Sequence, residues 1–262
     1  MLLRTLTCAS VLPLVFCVNS IAFAGAPSTE ETTDAISKWG GKVWSASTLD
    51  AEGKIDTLSL YITMPLIKGV PAMSMTMESV IVPLTDVAKE QTFFDHVSLN
   101  WNSMGHEPLK IYGKPHFDMH FFHPSVEAIA ALDCSAHSEI SADLVAPGYA
   151  LPPDLAAVGA CVPHMGIHAA PVSDFAPQFN FEESFIYGYY ESTLTFFEPM
   201  ITQKFFTDHK EVTKTLNNPA SFNHIPQAKP MAYSVTYDEG ADLYKITFSD
   251  FVMAEEPTKI ID

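Results

Sequence analysis

Segments in which apolar residues recur at alternate positions dominate the chain beyond about residue 40. The clearest of them are Ile55–Thr63 and His116–Phe122. Because successive side chains of a β-strand point to opposite faces, this alternation predicts strands with one buried face. The same criterion predicts further strands at residues 42–47, 75–82, 94–101, 185–189, 193–198, 231–237 and 243–252.

Helical periodicity is scarcer than strand periodicity. Residues 125–132 follow Pro124 and are rich in good helix formers, and residues 203–216 place apolar residues on an imperfect amphipathic face. The small, polar and acidic residues 25–38 predict a mobile leader or a short helix. Residues 145–180 hold six of the 19 prolines and predict a long ordered loop.

The predicted elements indicate the fold class. Turn residues at 190–192 and 238–241 separate neighbouring strands and predict antiparallel hairpins. We find no internal repeat and no linker that divides the chain after residue 24. The sequence therefore predicts one mainly-β domain over residues 25–262, an antiparallel sandwich or barrel with a few short helices.

Composition narrows the range of partners. The formal net charge is −17, which argues against a protein that binds nucleic-acid phosphates or anionic lipid headgroups. Apolar residues make up 47% of the chain and charged residues only 17%. This composition leaves room for surface buried between copies, so a homo-oligomer is a further expectation.

The first 24 residues have the pattern of a secretory signal peptide. Arg4 is followed by an uncharged apolar stretch that ends in Ala-Phe-Ala at residues 22–24, which is typical of a cleavage site. A membrane anchor is the alternative, but Pro13 and Asn19 favour cleavage. Phe16 argues against lipid attachment at Cys17. The sequence predicts a periplasmic or secreted protein without stable membrane insertion, since no second segment is apolar enough to span a bilayer.

Cleavage would leave Cys134 and Cys161 as the two cysteines. Two cysteines in an exported protein usually pair, so we expect a disulfide that closes a loop across the proline-rich region. The alternative is two separate buried thiols.

The densest group of chemically active side chains is the predicted strand His116–Phe122. In a strand, His116, Asp118 and His120 share one face, and three apolar residues share the other. A helix would also bring the two histidines together, but the helical zinc-protease pattern needs glutamate directly after the first histidine, where Phe117 stands. The strand interpretation therefore predicts metal ligands, or alternatively a solvated polar face.

Residues four apart in a strand lie about 13 Å apart, so His116 and His120 could bind the same ion only if the strand bends. The remaining ligands of an ion must come from other segments of the chain. His168 in a loop with Gly166, and Glu198 on an apolar strand face, are the candidates. A carboxylate on an apolar face must be paired, bound to metal or held protonated. Another turn places His106 beside Glu107. His164 is more typical of a hydrogen-bonded loop histidine.

Two functional hypotheses remain open at this stage. In the first, His116, Asp118, His120 and His168 hold a zinc, nickel, iron or manganese ion, or support it, and Glu198 is a further ligand or a catalytic general base. In the second, the same cluster is a structural hydrogen-bond network in a non-catalytic, oligomeric binding or stress-related protein. Motifs for nucleotide, NAD and serine-hydrolase chemistry are missing, which disfavours those classes.

Three motifs resemble those of a family of exported bacterial proteins of unknown function. They have the forms GHEP…PHFDxHF, VPxMGxH and IYG…FxEPMIT, and occur here from Gly105 to Phe121, from Val162 to His168 and from Ile186 to Thr202. The resemblance covers about residues 40–210. It implies an exported β-rich domain with the same histidine, aspartate and glutamate positions, and it implies no activity, substrate or metal.

Overall fold

The computed structural model describes residues 29–74, 77–135, 140–157, 159–220 and 227–253. The predicted signal peptide, residues 1–24, lies outside the described residues. The strands are β1 (Thr29–Thr32), β2 (Ile36–Lys38), β3 (Gly41–Leu49), β4 (Ile55–Thr63), β5 (Glu78–Pro83), β6 (His96–Asn102), β7 (His116–Phe122), β8 (Tyr149–Ala150), β9 (Cys161–Val162), β10 (Gly166–Pro171), β11 (Glu183–Tyr190), β12 (Thr193–Thr202), β13 (Val212–Thr215), β14 (Ala228–Lys229), β15 (Ala232–Asp238), β16 (Leu243–Ser249) and β17 (Val252–Met253).

Helices are few and short. They are α1 (Met64–Gly69), α2 (Asp86–Gln91), α3 (Leu109–Tyr112), α4 (Val126–Ala130) and α5 (Gln203–Thr207), and a 3-10 turn lies at Val172–Phe175. None of the helices in the described part of the chain has the length and apolar character that a membrane crossing requires.

Two large antiparallel sheets make up most of the fold, and β14 and β17 form a separate two-stranded sheet. The first has the strand order β1-β3-β4-β16-β15-β13, with β2 beside β3. The second has the order β5-β6-β7-β12-β11-β10-β8, with β9 beside β10. Strand β7 therefore lies inside the second sheet, hydrogen-bonded to β6 on one side and to β12 on the other.

The two sheets pack face to face through aromatic side chains. Phe248 of β16 contacts Phe94, Phe121 and Phe197 with ring centroids 5.3, 4.8 and 6.1 Å away. Rings at these separations gain from edge-to-face and offset packing in addition to area burial. Both sheets are open in the described residues, so the predicted antiparallel β class is confirmed, with the arrangement of a sandwich.

The helix predicted at residues 203–216 is wrong beyond its first turn. Thr202 caps α5 by accepting a hydrogen bond from the Phe205 backbone N–H at 3.1 Å, but the helix ends at Thr207. His209 then takes a positive φ of 53°, which interrupts right-handed helical geometry. The β-branched segment that follows forms β13, the edge strand of the first sheet, because pairing with β15 satisfies its backbone.

Two other predictions of irregular structure need correction. Part of residues 25–38 forms the short strands β1 and β2 on β3, instead of a leader or a helix. The predicted loop 145–180 contains β8, β9 and β10. Strand β10 lacks clear alternation in sequence, and its pairing with β11 is a tertiary contact that the local sequence does not encode.

Cys134 and Cys161 lie at disulfide-bonding distance, as the sequence predicts, with their Cα atoms 5.8 Å apart. The bond would close a loop with a sequence separation of 27 residues. Such a pair is compatible with an oxidising compartment.

Replacing both cysteines by serine should lower the free energy of unfolding by about 3 kcal/mol, because the crosslink reduces the entropy of the unfolded chain. Urea denaturation of the oxidised protein and of the double variant measures the difference. A reducing agent should destabilise the wild type and leave the variant unchanged. A difference below about 1 kcal/mol would contradict this account.

Candidate metal centre

The polar side chains of β7 point away from the aromatic interior of the sandwich, yet they are buried. His116, Asp118 and His120 expose 0%, 3% and 1% of their surface. The alternative that they form a solvated strand face is therefore wrong. Buried polar groups without water need protein partners or a bound ion, so this face of the sheet requires an explanation in terms of specific contacts.

Strand register brings Glu198 to His120. In the β7–β12 ladder, Phe197 lies opposite Phe121 and Met200 opposite Asp118, so Glu198 and His120 occupy facing positions. On the other side of β12, His168 of β10 lies opposite Gly188 of β11. The Phe196 ring fills the space over Gly188, and the imidazole of His168 packs against this ring on the way to Glu198.

His120, His168 and Glu198 form the first cluster. Nε2 of His120 lies 3.3 Å from Oε1 of Glu198, and Nε2 of His168 lies 3.8 Å from Oε2. One donor atom from each of the three residues lies within 4.8 Å of the other two. Nε2 of His120 and Oε2 of Glu198 are buried without a hydrogen-bond partner among the described residues.

Asn100 of β6 fixes the tautomer of His120. Its Oδ1 is 2.9 Å from Nδ1 of the imidazole, and its Nδ2 donates to Ser79 at 2.6 Å. Since an amide oxygen only accepts, Nδ1 must carry the proton, and Nε2 keeps its lone pair in the neutral ring. Metal-binding histidines are commonly oriented by such a second hydrogen bond.

Burial dominates the electrostatics of the first cluster. It lowers the pKa of His120 to about 3, because the charged imidazole would lose its hydration. It also lowers the pKa of His168, whose side chain keeps 26% of its surface exposed. Burial raises the pKa of Glu198 well above its usual range, and the charge of Asp118 adds to this effect. Both imidazoles of the cluster are therefore neutral at neutral pH. A bound cation would favour the charged form of the Glu198 carboxyl group.

His106, His116 and Asp118 form the second cluster. Nε2 of His116 lies 3.0 Å from Oδ1 of Asp118, and Nε2 of His106 lies 3.4 Å from Oδ2. Each Nδ1 donates to a backbone carbonyl, that of Lys114 for His116 and that of Glu107 for His106. Here too the carboxylate lies between two imidazole Nε2 atoms.

The second cluster differs from the first in its electrostatics. Burial opposes ionisation of Asp118, but the charges of His116 and His106 lower its pKa well below the usual range. Burial also acts against the charged form of His106, but the neighbouring Asp118 carboxylate outweighs it, so that the pKa of His106 is raised. The carboxylate is therefore ionised and is the negative centre of this cluster.

The structure divides the predicted ligands between two clusters. His120 and His168 lie with Glu198, whereas His116 and Asp118 lie with His106. Sequence reasoning placed His106 in a turn and left it out of the ligand set. Its position directly before Glu107 and in the same motif as His116 was the available signal. Gly105, at a φ of 72°, passes too close to the backbone of Tyr112 and Gly113 for any side chain, and this turn lets His106 reach Asp118.

The described ion pairs of Asp118 and Glu198 are all with histidines. The described partners of Glu198 are therefore His120 and His168, and no lysine or arginine is among them. Alternation places Leu194 and Phe196 on the face of Glu198, but a register shift between Gly188 and Tyr189 places Leu194 opposite Tyr189 and interrupts this alternation. Phe196 still shares the face of Glu198, and its ring contacts His120 and His168 with centroids 4.7 and 5.1 Å away.

Replacing Gly188 by alanine should disturb the first cluster through Phe196. A Cβ at residue 188 would overlap the Phe196 ring, which cannot move freely because both histidine rings contact it. We expect a loss of about 1–3 kcal/mol in the free energy of unfolding, typical of overpacking, and weaker metal binding. Thermal denaturation and metal titration measure the two effects.

Gly240→Ala is the matched control, because its Cβ would meet only Asp238 at an ordinary contact distance of 3.5 Å. Its stability should stay within about 0.5 kcal/mol of the wild type. Equal stability of both variants would contradict the role given to the close approach of Phe196 to Gly188.

Comparisons of the chain with protein-family models, with curated proteins and with solved structures gave no significant match. The functional assignment therefore rests on the geometry of the two clusters.

Proposed function

We propose that the protein is an exported metal-binding protein whose main site is formed by His120, His168 and Glu198. The observation that carries the proposal is that strands β7, β12 and β10 bring one donor atom from each of these residues within 4.8 Å of the other two. In this cluster, Nε2 of His120 and Oε2 of Glu198 are buried without a hydrogen-bond partner among the described residues. Two imidazoles and a carboxylate are a donor set that suits zinc, iron, nickel or manganese.

Donor separations support this assignment. Two ligand atoms about 2.1 Å from one ion, at angles between square and tetrahedral, lie about 3.0–3.4 Å from each other. The distance of 3.3 Å between His120 Nε2 and Glu198 Oε1 falls in this range, and the 3.8 Å from His168 to Oε2 is slightly longer. A direct hydrogen bond would instead place a proton on the axis between the two atoms.

Three protein ligands leave coordination positions for water or a bound molecule. Both carboxylate oxygens of Glu198 face imidazole nitrogens, which favours a ligand role for Glu198 over the predicted role of general base. The three motifs of the family resemblance each contribute to this face of the sheet, the first through His120, the second through His168 and the third through Glu198. Their convergence supports the proposal that the motifs mark one functional site.

Elemental analysis of the protein purified without chelator tests the proposal, beside His120→Ala. We expect bound metal in the wild type and a loss of it from the Glu198 site in the variant. His164→Asn is the control, because His164 is exposed and its positive φ of 63° is one that asparagine tolerates. A wild type without bound metal, or a His120→Ala variant with as much bound metal as the wild type, would contradict the proposal and favour a structural hydrogen-bond network.

The export part of the proposal has its own test. When the full chain is produced in a bacterium that processes signal peptides, the purified protein should begin at Gly25, which intact-mass measurement establishes. An intact N-terminus on protein that stays with the membrane would indicate an anchor instead.

A further inference from the structure

We propose that His106, His116 and Asp118 form a second divalent-metal site, separate from that of Glu198, so that this face of the sheet binds two ions. No donor atom is shared between the two clusters. Asp118 and His120 are two positions apart in β7, which places their backbones about 6.6 Å apart. The second site does not depend on the first for its ligands.

The contact between His116 and Asp118 has the geometry of two ligands of one ion and not that of a hydrogen bond. Nε2 of His116 and Oδ1 of Asp118 are 3.0 Å apart and fully buried, yet neither makes a hydrogen bond of acceptable geometry. A direct ion pair at this distance would be expected to align its N–H with the oxygen. Separations of 3.0 and 3.4 Å match those of neighbouring ligands on one ion about 2.1 Å from each.

The surroundings hold the three donors in place. The carbonyls of Lys114 and Glu107 fix the Nδ1 protons of the histidines, so that in the neutral rings Nε2, the atom nearest Asp118, keeps its lone pair. Asn102 donates to Oδ2 of Asp118 at 2.6 Å and orients the carboxylate. Phe181 packs edge-on against His116, with centroids 5.0 Å apart. The site is thus preorganised before an ion arrives.

His106 provides the access to this site. Its side chain keeps 36% of its surface exposed, whereas that of Asp118 keeps 4% and that of His116 none. It also lies on the connection between β6 and β7 and outside the strands. We infer that an ion enters and leaves on the His106 side, where one ligand can move without opening the sheet.

Metal counting on four proteins tests the proposal: the wild type, Asp118→Asn, Glu198→Gln and the double variant. Each is loaded with Zn²⁺, freed of excess ion by gel filtration and analysed for metal per chain. We expect about two, one, one and none, in that order. His106→Asn serves as a second probe that spares the buried residues, and should weaken Zn²⁺ binding at this site by roughly tenfold or more.

The outcomes separate this proposal from the first. One ion that is lost in Glu198→Gln and kept in Asp118→Asn overturns the second site only. One ion with the opposite dependence overturns the Glu198 site and retains the second. A single ion that is lost in Asp118→Asn and also in Glu198→Gln means one shared site and overturns the proposal of two. A wild type that binds no Zn²⁺ overturns both sites, and Asp118 then forms only an ion pair with its histidines.

Discussion

Zn²⁺ at one thousand times its dissociation constant should raise the free energy of unfolding by about 4 kcal/mol when only the Glu198 site is intact. An ion that binds the folded chain and not the unfolded one stabilises by mass action, and His120, His168 and Glu198 meet only in the folded sheet. The Asp118→Asn variant isolates this site. Its melting temperature should rise by about 10 °C with saturating Zn²⁺.

The matched control is Asp118→Asn combined with Glu198→Gln, in which the Zn²⁺-dependent rise should vanish. In the metal-free state the added replacement should cost less than about 1 kcal/mol, because Oε2 of Glu198 has no hydrogen-bond partner to lose and burial disfavours its charged form. A large loss of stability without metal would instead support the structural-network hypothesis. An equal rise in both proteins would exclude Glu198 as a ligand.

Phe197→Ala should lower the free energy of unfolding by about 3–5 kcal/mol. Phe197 is fully buried on the interior face of β12, with ring centroids 4.8 Å from Tyr187 and 5.3 Å from Phe94. It also contacts Phe248 of the opposite sheet, so the truncation leaves a cavity between the two sheets. Urea denaturation, followed by aromatic fluorescence and circular dichroism, measures the loss.

Phe175→Ala is the control of the same chemistry, because 53% of Phe175 is exposed. Its stability should remain within about 0.5 kcal/mol of the wild type. If Phe197→Ala does not fold, Phe197→Leu retains most of the buried volume and should show a smaller loss of the same sign. A loss in Phe175→Ala as large as in Phe197→Ala would contradict the assigned packing.

Strand prediction succeeded where one face of a strand is apolar. The predicted bounds of Ile55–Thr63 and His116–Phe122 agree with β4 and β7, because alternation is a local property of the sequence and each strand has one face in the sandwich interior. The helix at 203–216 failed because its imperfect apolar face also suits a single turn followed by an edge strand. Pairing with β15 decides between the longer helix and the edge strand, and this pairing is a tertiary contact.

Candidate ligands were identifiable because buried strands rarely carry histidine and carboxylate groups without a reason. Their division into two sets was not. The spacing of His116, Asp118 and His120 in β7 allows several combinations, and only neighbours from β10, β12 and the β6–β7 connection decide among them. His106 escaped selection because a turn histidine beside a glutamate has no distinctive local pattern.

The sequence by itself determined the β class and the polar face of β7, since both depend on residue type and local spacing. It also predicted Cys134 and Cys161 as partners, with two separate thiols as the alternative. The tertiary structure decided that the polar face is buried, that Glu198 faces His120, and that Asp118 lies between His106 and His116. Strand order and register set these contacts between residues up to 78 positions apart, as from His120 to Glu198. A register shift of one residue would turn Glu198 to the other face of the sheet, and local sequence does not specify that alignment.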